Sequence, residues 1–430
     1  MTVRCLGGCG GQVERSGYLL SKDGSTILLD YGAQLSKPPV FPLHVAPRQL
    51  DGFVVSHAHL DHTGGAPYLY ISGRMPVYSQ EVTMKQVDLL VRDFLKLSGP
   101  RLPYEFLELH TLLQHSKHLG YHEKTQMGKG VFSVELYNSG HIPGGASLMV
   151  ETGKERLLYT SDINTYETRL MSPAETTYGE LDAIICESTY AGRFHPDRKA
   201  TEGRFLERVS EMVQGGGTVL IPTFAIGRSQ EILLILHHGG YENDLYMDGM
   251  ALSATRLFIE HSDVLKEPPA LERAMESVTE VYRWKDRKKV VDKPGVIIAP
   301  AGMLGGGTAI FYMSRIYKNP KNAIFIVGFQ APGTPGKALV EEKRAYIRGV
   351  ETRVEAEVES FKFSSHADQK GFEGIFKGLE GDPLVILVHG EESRVQQQVK
   401  FVTQEIGLKA CAPGLGDEIE IGGNGPLQGR

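Results

Sequence analysis

Ser56-His57-Ala58-His59-Leu60-Asp61-His62 follows the apolar run Gly52-Phe53-Val54-Val55 and sets three histidines and an aspartate within six residues. A short apolar run bounded by a turn predicts a buried strand. Imidazoles and a carboxylate released together at its end are ligands suited to zinc. Alternation lets His57 and His59 point the same way, while Asp61 and His62 fall around the turn and reach a second ion. A single loop histidine is usually solvated or packed; a set this compact is read as a metal site.

Working outward, residues 18–20 and 26–30 are apolar runs separated by Lys22-Asp23-Gly24-Ser25, the spacing of a hairpin. Residues 81–97 carry Val87, Leu90, Val91, Phe94 and Leu95 at helical spacing. Strand-like runs return at residues 131–137, 146–151, 156–160 and 183–186. Beyond residue 190 the pattern becomes strand, helix, strand, helix. Strands are predicted at 218–221, 244–247, 296–299 and 323–327, and helices at 201–213, 228–237, 251–261 and 308–316. That alternation predicts an α/β unit with a largely parallel sheet. From about residue 351 strand-like runs resume (354–363 and 384–388), with a helix between them and another at 393–405. The simplest organisation is one α/β domain interrupted by a second. The tail, residues 422–430, is Gly-rich and read as loose.

A chain of 430 residues is long for one ordinary domain and natural for two. Hydrophobic residues at 41% and charged residues at 23% supply a large core inside a soluble protein. The net charge of −6 argues against a non-specific coat on nucleic acid. It leaves a nuclease open, because bound metal ions and a local basic groove supply positive charge that an acidic total conceals. Cys5, Cys9, Cys186 and Cys411 form no disulfide framework, and no second Cys pair completes a tetrahedral zinc set with Cys5 and Cys9. No apolar run approaches the roughly 18–20 residues that span a bilayer. MTVRCLGGCGG holds no signal-peptide stretch either, so a cytoplasmic protein without a membrane partner is expected.

His57-x-His59-x-Asp61-His62 resembles the signature of the metallo-β-lactamase superfamily. Asp30, closing Ile27-Leu28-Leu29-Asp30, matches that family's first motif, a carboxylate that steadies the histidine loop. His141 in Asn138-Ser139-Gly140-His141 matches its third motif, and Asp162 in Tyr159-Thr160-Ser161-Asp162 its fourth. Glu187 in Cys186-Glu187-Ser188-Thr189, His366 in Ser364-Ser365-His366-Ala367-Asp368, and His389 in Val388-His389-Gly390-Glu391 resemble motifs A, B and C of the β-CASP branch. Pro222-Thr223-Phe224-Ala225-Ile226-Gly227-Arg228 and Ala301-Gly302-Met303-Leu304-Gly305-Gly306-Gly307 also look like stretches of the β-CASP insertion. Motif wording is most similar to the cleavage-and-polyadenylation-factor nucleases and their archaeal counterparts, and less like RNase J. The sequence enters the catalytic region almost at once, which leaves no room for the N-terminal KH domains of some archaeal relatives.

The resemblance implies a metallo-β-lactamase αββα sandwich over residues 1–190 and 356–430. A β-CASP α/β domain with a mostly parallel sheet, residues 191–355, would interrupt it. It implies two Zn2+ per chain, with His57, His59 and His141 on one, Asp61, His62 and His389 on the other, and Asp162 bridging. Hydroxide attack on an RNA phosphodiester, endo- or 5′-to-3′ exonucleolytic, would leave a 5′-phosphate and a 3′-hydroxyl. Asp61 would share in catalysis, and His366, oriented by Glu187, would protonate the leaving oxygen. His389 at motif C is similar to the RNA-processing members, where the DNA-repair members carry an aliphatic residue.

Gly305 and Gly306 are candidates for backbone contact with an RNA phosphate, Ser364, Ser365 and Arg228 for side-chain contact. The run Lys285-Asp286-Arg287-Lys288-Lys289 is read as a solvated face, and His110, His115, His118 and His122 as surface or core residues. RNA is the expected partner, with a homodimer and subunits of an RNA-processing or decay complex as further ones. Two other classes compete. A small-ester or thioester hydrolase needs no second α/β domain, and a non-catalytic β-CASP scaffold would have lost ligands that are all present here.

Overall fold

Alternation along single strands decides the layers of the first unit. In the strand Ser25–Leu29, Ile27 and Leu29 face one core while Leu28 faces another. In Arg156–Tyr159, Leu157 and Tyr159 join the first of these cores and Leu158 a third. Both strands are therefore buried on two faces. The structure, a computed structural model, describes residues 1–291, 293–331 and 333–422; the tail beyond Gly422 lies outside the described residues.

Contacts divide the chain into two units. The first comprises Met1–Glu167, Ser172–Phe194 and Ser365–Arg430, and the second Thr168–Met171 and His195–Ser364. The first unit holds two seven-stranded sheets. One runs from the edge strand Glu418–Glu420 through Thr2–Gly7, Gly17–Lys22, Ser25–Leu29, Gly52–Val54 and Val77–Ser79 to Ser116–His118. The expected hairpin is present, and Asp23 and Gly24 turn it with φ of 48° and 75°, the positive pair that a two-residue connection requires. The other sheet contains Phe132–Asn138, Ala146–Glu151, Arg156–Tyr159, Ala183–Glu187 and Leu384–Val388 as its inner strands.

Ile27, Leu29 and Val54 from one sheet pack with Val134, Leu148, Leu157 and Ile185 from the other. Behind the first sheet, Leu28, Phe53 and Val77 meet Val87, Val91 and Leu95 of the helix Glu81–Ser98. Behind the second, Leu158, Ile184 and Leu387 meet Phe372, Ile375 and Phe376 of the helix Gln369–Lys377. Helix, sheet, sheet, helix is the αββα sandwich expected from the sequence. Cys5 and Cys9 are free thiols packed between the sheets.

In the second unit six strands pair parallel throughout, with Thr218–Pro222 and Gly295–Ala299 at the centre. Their unbroken apolar runs suit a sheet covered on both faces. Leu220, Ile297 and Ile324 pack with Tyr312, Met313 and Ile316 of the helix Gly307–Ile316. One boundary differs from expectation. Residues 357–360, assigned from sequence to the last segment, form the edge strand Glu357–Ser360 beside Ala323–Ile326. A helix, Pro335–Glu342, and a hairpin, Arg344–Ile347 with Val350–Arg353, separate it in sequence from Ala323–Ile326; neither is among the elements expected from the sequence.

Among the described residues no helix is long and apolar enough to cross a membrane. Leu158 is fully buried in the helix-facing row. Leu158→Ala should cost roughly 2–5 kcal/mol through the cavity it leaves, read as a lowered urea midpoint. Leu158→Met, which conserves volume, should cost less than about 1.5 kcal/mol. Equal midpoints for the two variants would contradict this packing.

Candidate metal centre

The polar residues of the site leave the strands of the first unit at their carboxyl ends. Asp30 follows Ser25–Leu29, Asp162 follows Arg156–Tyr159, and His389 follows Leu384–Val388 directly. Glu187 is the last residue of Ala183–Glu187. His57 lies beyond Gly52–Val54, and His59 precedes the short helix Leu60–Thr63, whose first turn carries Asp61 and His62. His141 follows Phe132–Asn138 across a turn at Gly140, φ 68°. A Cβ there would come within 2.4 Å of the Asn164 carbonyl oxygen, so only glycine fits.

The structure brings these side chains together as two sets that share Asp162. In the first, His57 Nε2 and His141 Nε2 each lie 3.5 Å from Asp162 Oδ2, and His59 Nδ1 lies 3.1 Å from His141 Nε2. In the second, His62 Nε2 and His389 Nε2 lie 3.3 and 3.5 Å from Asp162 Oδ1, with Asp61 Oδ2 3.8 Å from His389 Nε2. Tetrahedral ligands at zinc bond lengths of about 2.0–2.1 Å stand about 3.3 Å apart. The observed separations are close to that edge.

Four of the five outer nitrogens, those of His57, His62, His141 and His389, have partners of their own. His62 Nδ1 donates to Asp30 Oδ2 at 2.8 Å, His141 Nδ1 to the Ser365 carbonyl at 2.7 Å. Ser16 Oγ is 3.0 Å from His389 Nδ1, and the Ser56 and Ser161 hydroxyls are each 3.2 Å from His57 Nδ1. Asp30 also accepts the Ser56 N–H at 2.8 Å and the Tyr159 hydroxyl at 2.9 Å. Such partners fix the ring and its tautomer, so the inner nitrogen keeps its lone pair for a ligand bond. Conversely, His57 Nε2, His62 Nε2 and Asp162 Oδ1 are buried and make no hydrogen bond. Polar atoms left this way cost about 1–3 kcal/mol each. A divalent cation satisfies them, and the donor set fits one.

Burial holds His57, His59 and His141 below the usual imidazole range, which favours the neutral, ligating form. Burial also opposes charge on His62 and Asp162, but their mutual attraction wins. His62 is raised by Asp162 and Asp30, and Asp162 is lowered by His389 and His62.

Beside this centre His366 Nδ1 donates to Glu187 Oε1 at 2.9 Å. Glu187 is 1% exposed and also accepts the Ile163 N–H at 2.9 Å. Burial opposes protonation of His366, yet the Glu187, Asp162 and Asp61 carboxylates push it up to about 9. Asp162, Glu187 and His366 themselves bring their ligand atoms together.

Of the other predicted positions, Ser365 accepts from His141 Nδ1 through its carbonyl. Arg228 begins the helix Arg228–His238 in the second unit, and Gly305 and Gly306 precede Gly307–Ile316 there. Ser364 ends that unit and Ser365 resumes the first. His122 sits 3.1 Å from Glu175, away from both ligand sets, and His115 Nδ1 lies 2.8 Å from the Thr111 carbonyl. Sequence reasoning missed Ser16, a lone hydroxyl in an unremarked context, and assigned no role to Tyr159, although it opens the motif that ends at Asp162. Ser161 and Ser56, adjacent to ligands inside the quoted motifs, were the available signal.

Residues 19–187 match the metallo-beta-lactamase superfamily domain, 229–339 the Beta-Casp domain, and 351–413 the Zn-dependent metallo-hydrolase RNA specificity domain. RNase aCSPSF2 of Saccharolobus solfataricus is 38% identical over 424 residues, covering 97% of this chain and 85% of that protein. Probable RNase MJ4 of Methanocaldococcus jannaschii is 36% identical over 423 residues, covering 95% and 98%. Transcription termination factor FttA of Pyrococcus horikoshii is 30% identical over 459 residues, covering 96% and 70%. A solved protein of unknown function from Enterococcus faecalis V583 superimposes with a TM-score of 0.59 at 13% identity, covering 97% of this chain and 99% of that one, a likeness of fold alone. The chain belongs to the β-CASP branch of the metallo-β-lactamase superfamily. Membership and donor set together imply a divalent-metal site.

Asp30 touches His62, Ser56 and Tyr159 but neither inner face of the ligand sets. Asp30→Ala should therefore weaken metal affinity about 10–100-fold, measured by competition with a chromogenic chelator. Parental affinity would remove Asp30 from the account.

Proposed function

We propose that this chain is a two-zinc ribonuclease that hydrolyses RNA phosphodiester bonds and leaves a 5′-phosphate and a 3′-hydroxyl. The observation that carries this reading is the pair of ligand sets sharing one buried carboxylate, with a carboxylate-braced imidazole beside them. Two zinc ions, when bound, lower the pKa of water and offset charge building on a phosphoryl group. The rest falls to the chain's own residues. Asp162 would be shared by the two ions, with His57, His59 and His141 holding one and Asp61, His62 and His389 the other. Glu187 holds His366 by Nδ1, which leaves Nε2 to deliver a proton to the departing 3′ oxygen. The same carboxylate favours the proton-loaded imidazole.

RNA as the substrate is supported by the relatives named as RNases and by the RNA specificity domain over residues 351–413. His389, which the sequence resemblance associates with RNA-processing members, points the same way. Arg228, Ser364, Ser365, Gly305 and Gly306 are proposed to contact the RNA. A Cβ at Gly305 or Gly306 would meet nothing within 4 Å, so backbone there is open to a phosphate.

Zinc-loaded protein should cut labelled RNA and leave a chromogenic lactam intact; the opposite result would favour a small-ester hydrolase. His366→Ala should retain its metal yet lose about 10²–10⁴-fold in cleavage rate. Asp162→Ala should lose metal and fall further, since it removes a ligand of both ions. Parental cleavage by His366→Ala would overturn the acid assignment.

A further inference from the structure

The charge run at residues 285–289 reads from sequence as a solvated face, but its surroundings in the second unit are unusual. Trp284, the chain's only tryptophan, opens the helix Trp284–Val290 and is 54% exposed. Its ring packs on Phe311 with centroids 4.5 Å apart. The Arg315 guanidinium stands 5.5 Å from the centre of the same Phe311 ring. Tyr282, 52% exposed, is flanked by Arg256 at 5.3 Å, and both its hydroxyl and that guanidinium bond the Glu280 carboxylate, so the unpaired cations lie on the Trp284 side. Arg315 also lines a cavity of about 500 Å³ together with Tyr317, Lys318 and Arg348, and no acidic side chain lines it. Aromatic surface, cations and cavity are thus continuous.

The charges divide by whether the fold uses them. Arg287 is anchored to the buried Asp248 at 2.7 Å, and Lys289 lies 4.0 Å from Asp286. Arg283, Lys285, Lys288, Arg315, Lys318 and Arg348 are exposed, and among the described residues none pairs with a carboxylate. Three of them lie in or beside the helix Trp284–Val290, two lie at the end of Gly307–Ile316, and Arg348 sits at the tip of the hairpin, in a chain whose net charge is −6. Exposed aromatic rings set among unpaired cations match what an unpaired polynucleotide offers, open base faces alternating with phosphates. A duplex buries its base faces, and an acidic peptide offers the charge without the rings.

We infer that this face of the second unit is a docking site for single-stranded RNA. Bases stack on Trp284 and Tyr282, while Arg315, Lys318 and Arg348 hold phosphates. The choice of RNA over other polyanions rests on the ribonuclease reading.

Trp284 reports on its own site. Intact protein is titrated with a long 2′-O-methyl oligoribonucleotide, which cannot be cut, while tryptophan emission is followed. Emission should change saturably, and affinity should fall steeply with salt. Arg315→Ala/Lys318→Ala/Arg348→Ala, and separately Lys285→Ala/Lys288→Ala, should weaken binding at least about tenfold and flatten the salt dependence. Both sets are exposed, and unchanged circular dichroism and metal content would confirm intact folds. No change in emission, or equal affinity in both variants, overturns the proposal. Equal binding of poly-glutamate replaces RNA with an acidic protein partner and overturns it too. Because the probe is never cleaved, failure here is distinct from failure of unmodified RNA to be cut.

Discussion

Both oxygens of the Asp162 carboxylate, itself 2% exposed, face imidazole nitrogens at 3.3 and 3.5 Å. None of these separations is a good hydrogen bond. A carboxylate and five imidazoles withdrawn from water carry a desolvation cost that hydrogen bonding inside the protein leaves unmet. Cations between them change the sign of that balance, because the lone pairs that repel one another become ligands. The arrangement makes physical sense as a metal centre and little sense otherwise.

What keeps the ligands in place is a second ring of partners, and the sandwich supplies it. The carboxyl ends of Ser25–Leu29, Arg156–Tyr159 and Leu384–Val388 deliver Asp30, Asp162 and His389. Asp30 ties the histidine loop to Tyr159 in the other sheet, and Ser16 ties His389 to a loop of the first. Asp30 and His389 both sit at positive φ, 54° and 48°, conformations a fold holds only when neighbours over-determine them. Packing between the sheets and the geometry of the site are therefore one constraint.

The convergence of these imidazoles and carboxylates was legible in the sequence because such residues are rarely clustered for any other purpose. The second unit was legible because a sheet covered on both faces needs apolar runs such as Val219-Leu220-Ile221. Ser16 was not, since one hydroxyl among ordinary neighbours leaves no trace until the chain folds, and the bond from Tyr159 to Asp30 shows only once the two sheets meet. The strand over 357–360 was legible but its sheet was not, because pairing with Ala323–Ile326 across an intervening helix and hairpin leaves no mark in the pattern. Trp284 was hidden differently: its meaning depends on Phe311 and Arg315, distant in sequence and adjacent in space.

The most direct measurement is a crystal structure of the zinc-loaded protein with anomalous data collected at the zinc edge. Two peaks are predicted, one on each side of Asp162, bounded by His57, His59 and His141 and by Asp61, His62 and His389. An empty site, or ions bound elsewhere with His389 turned away from Asp61, would contradict the account.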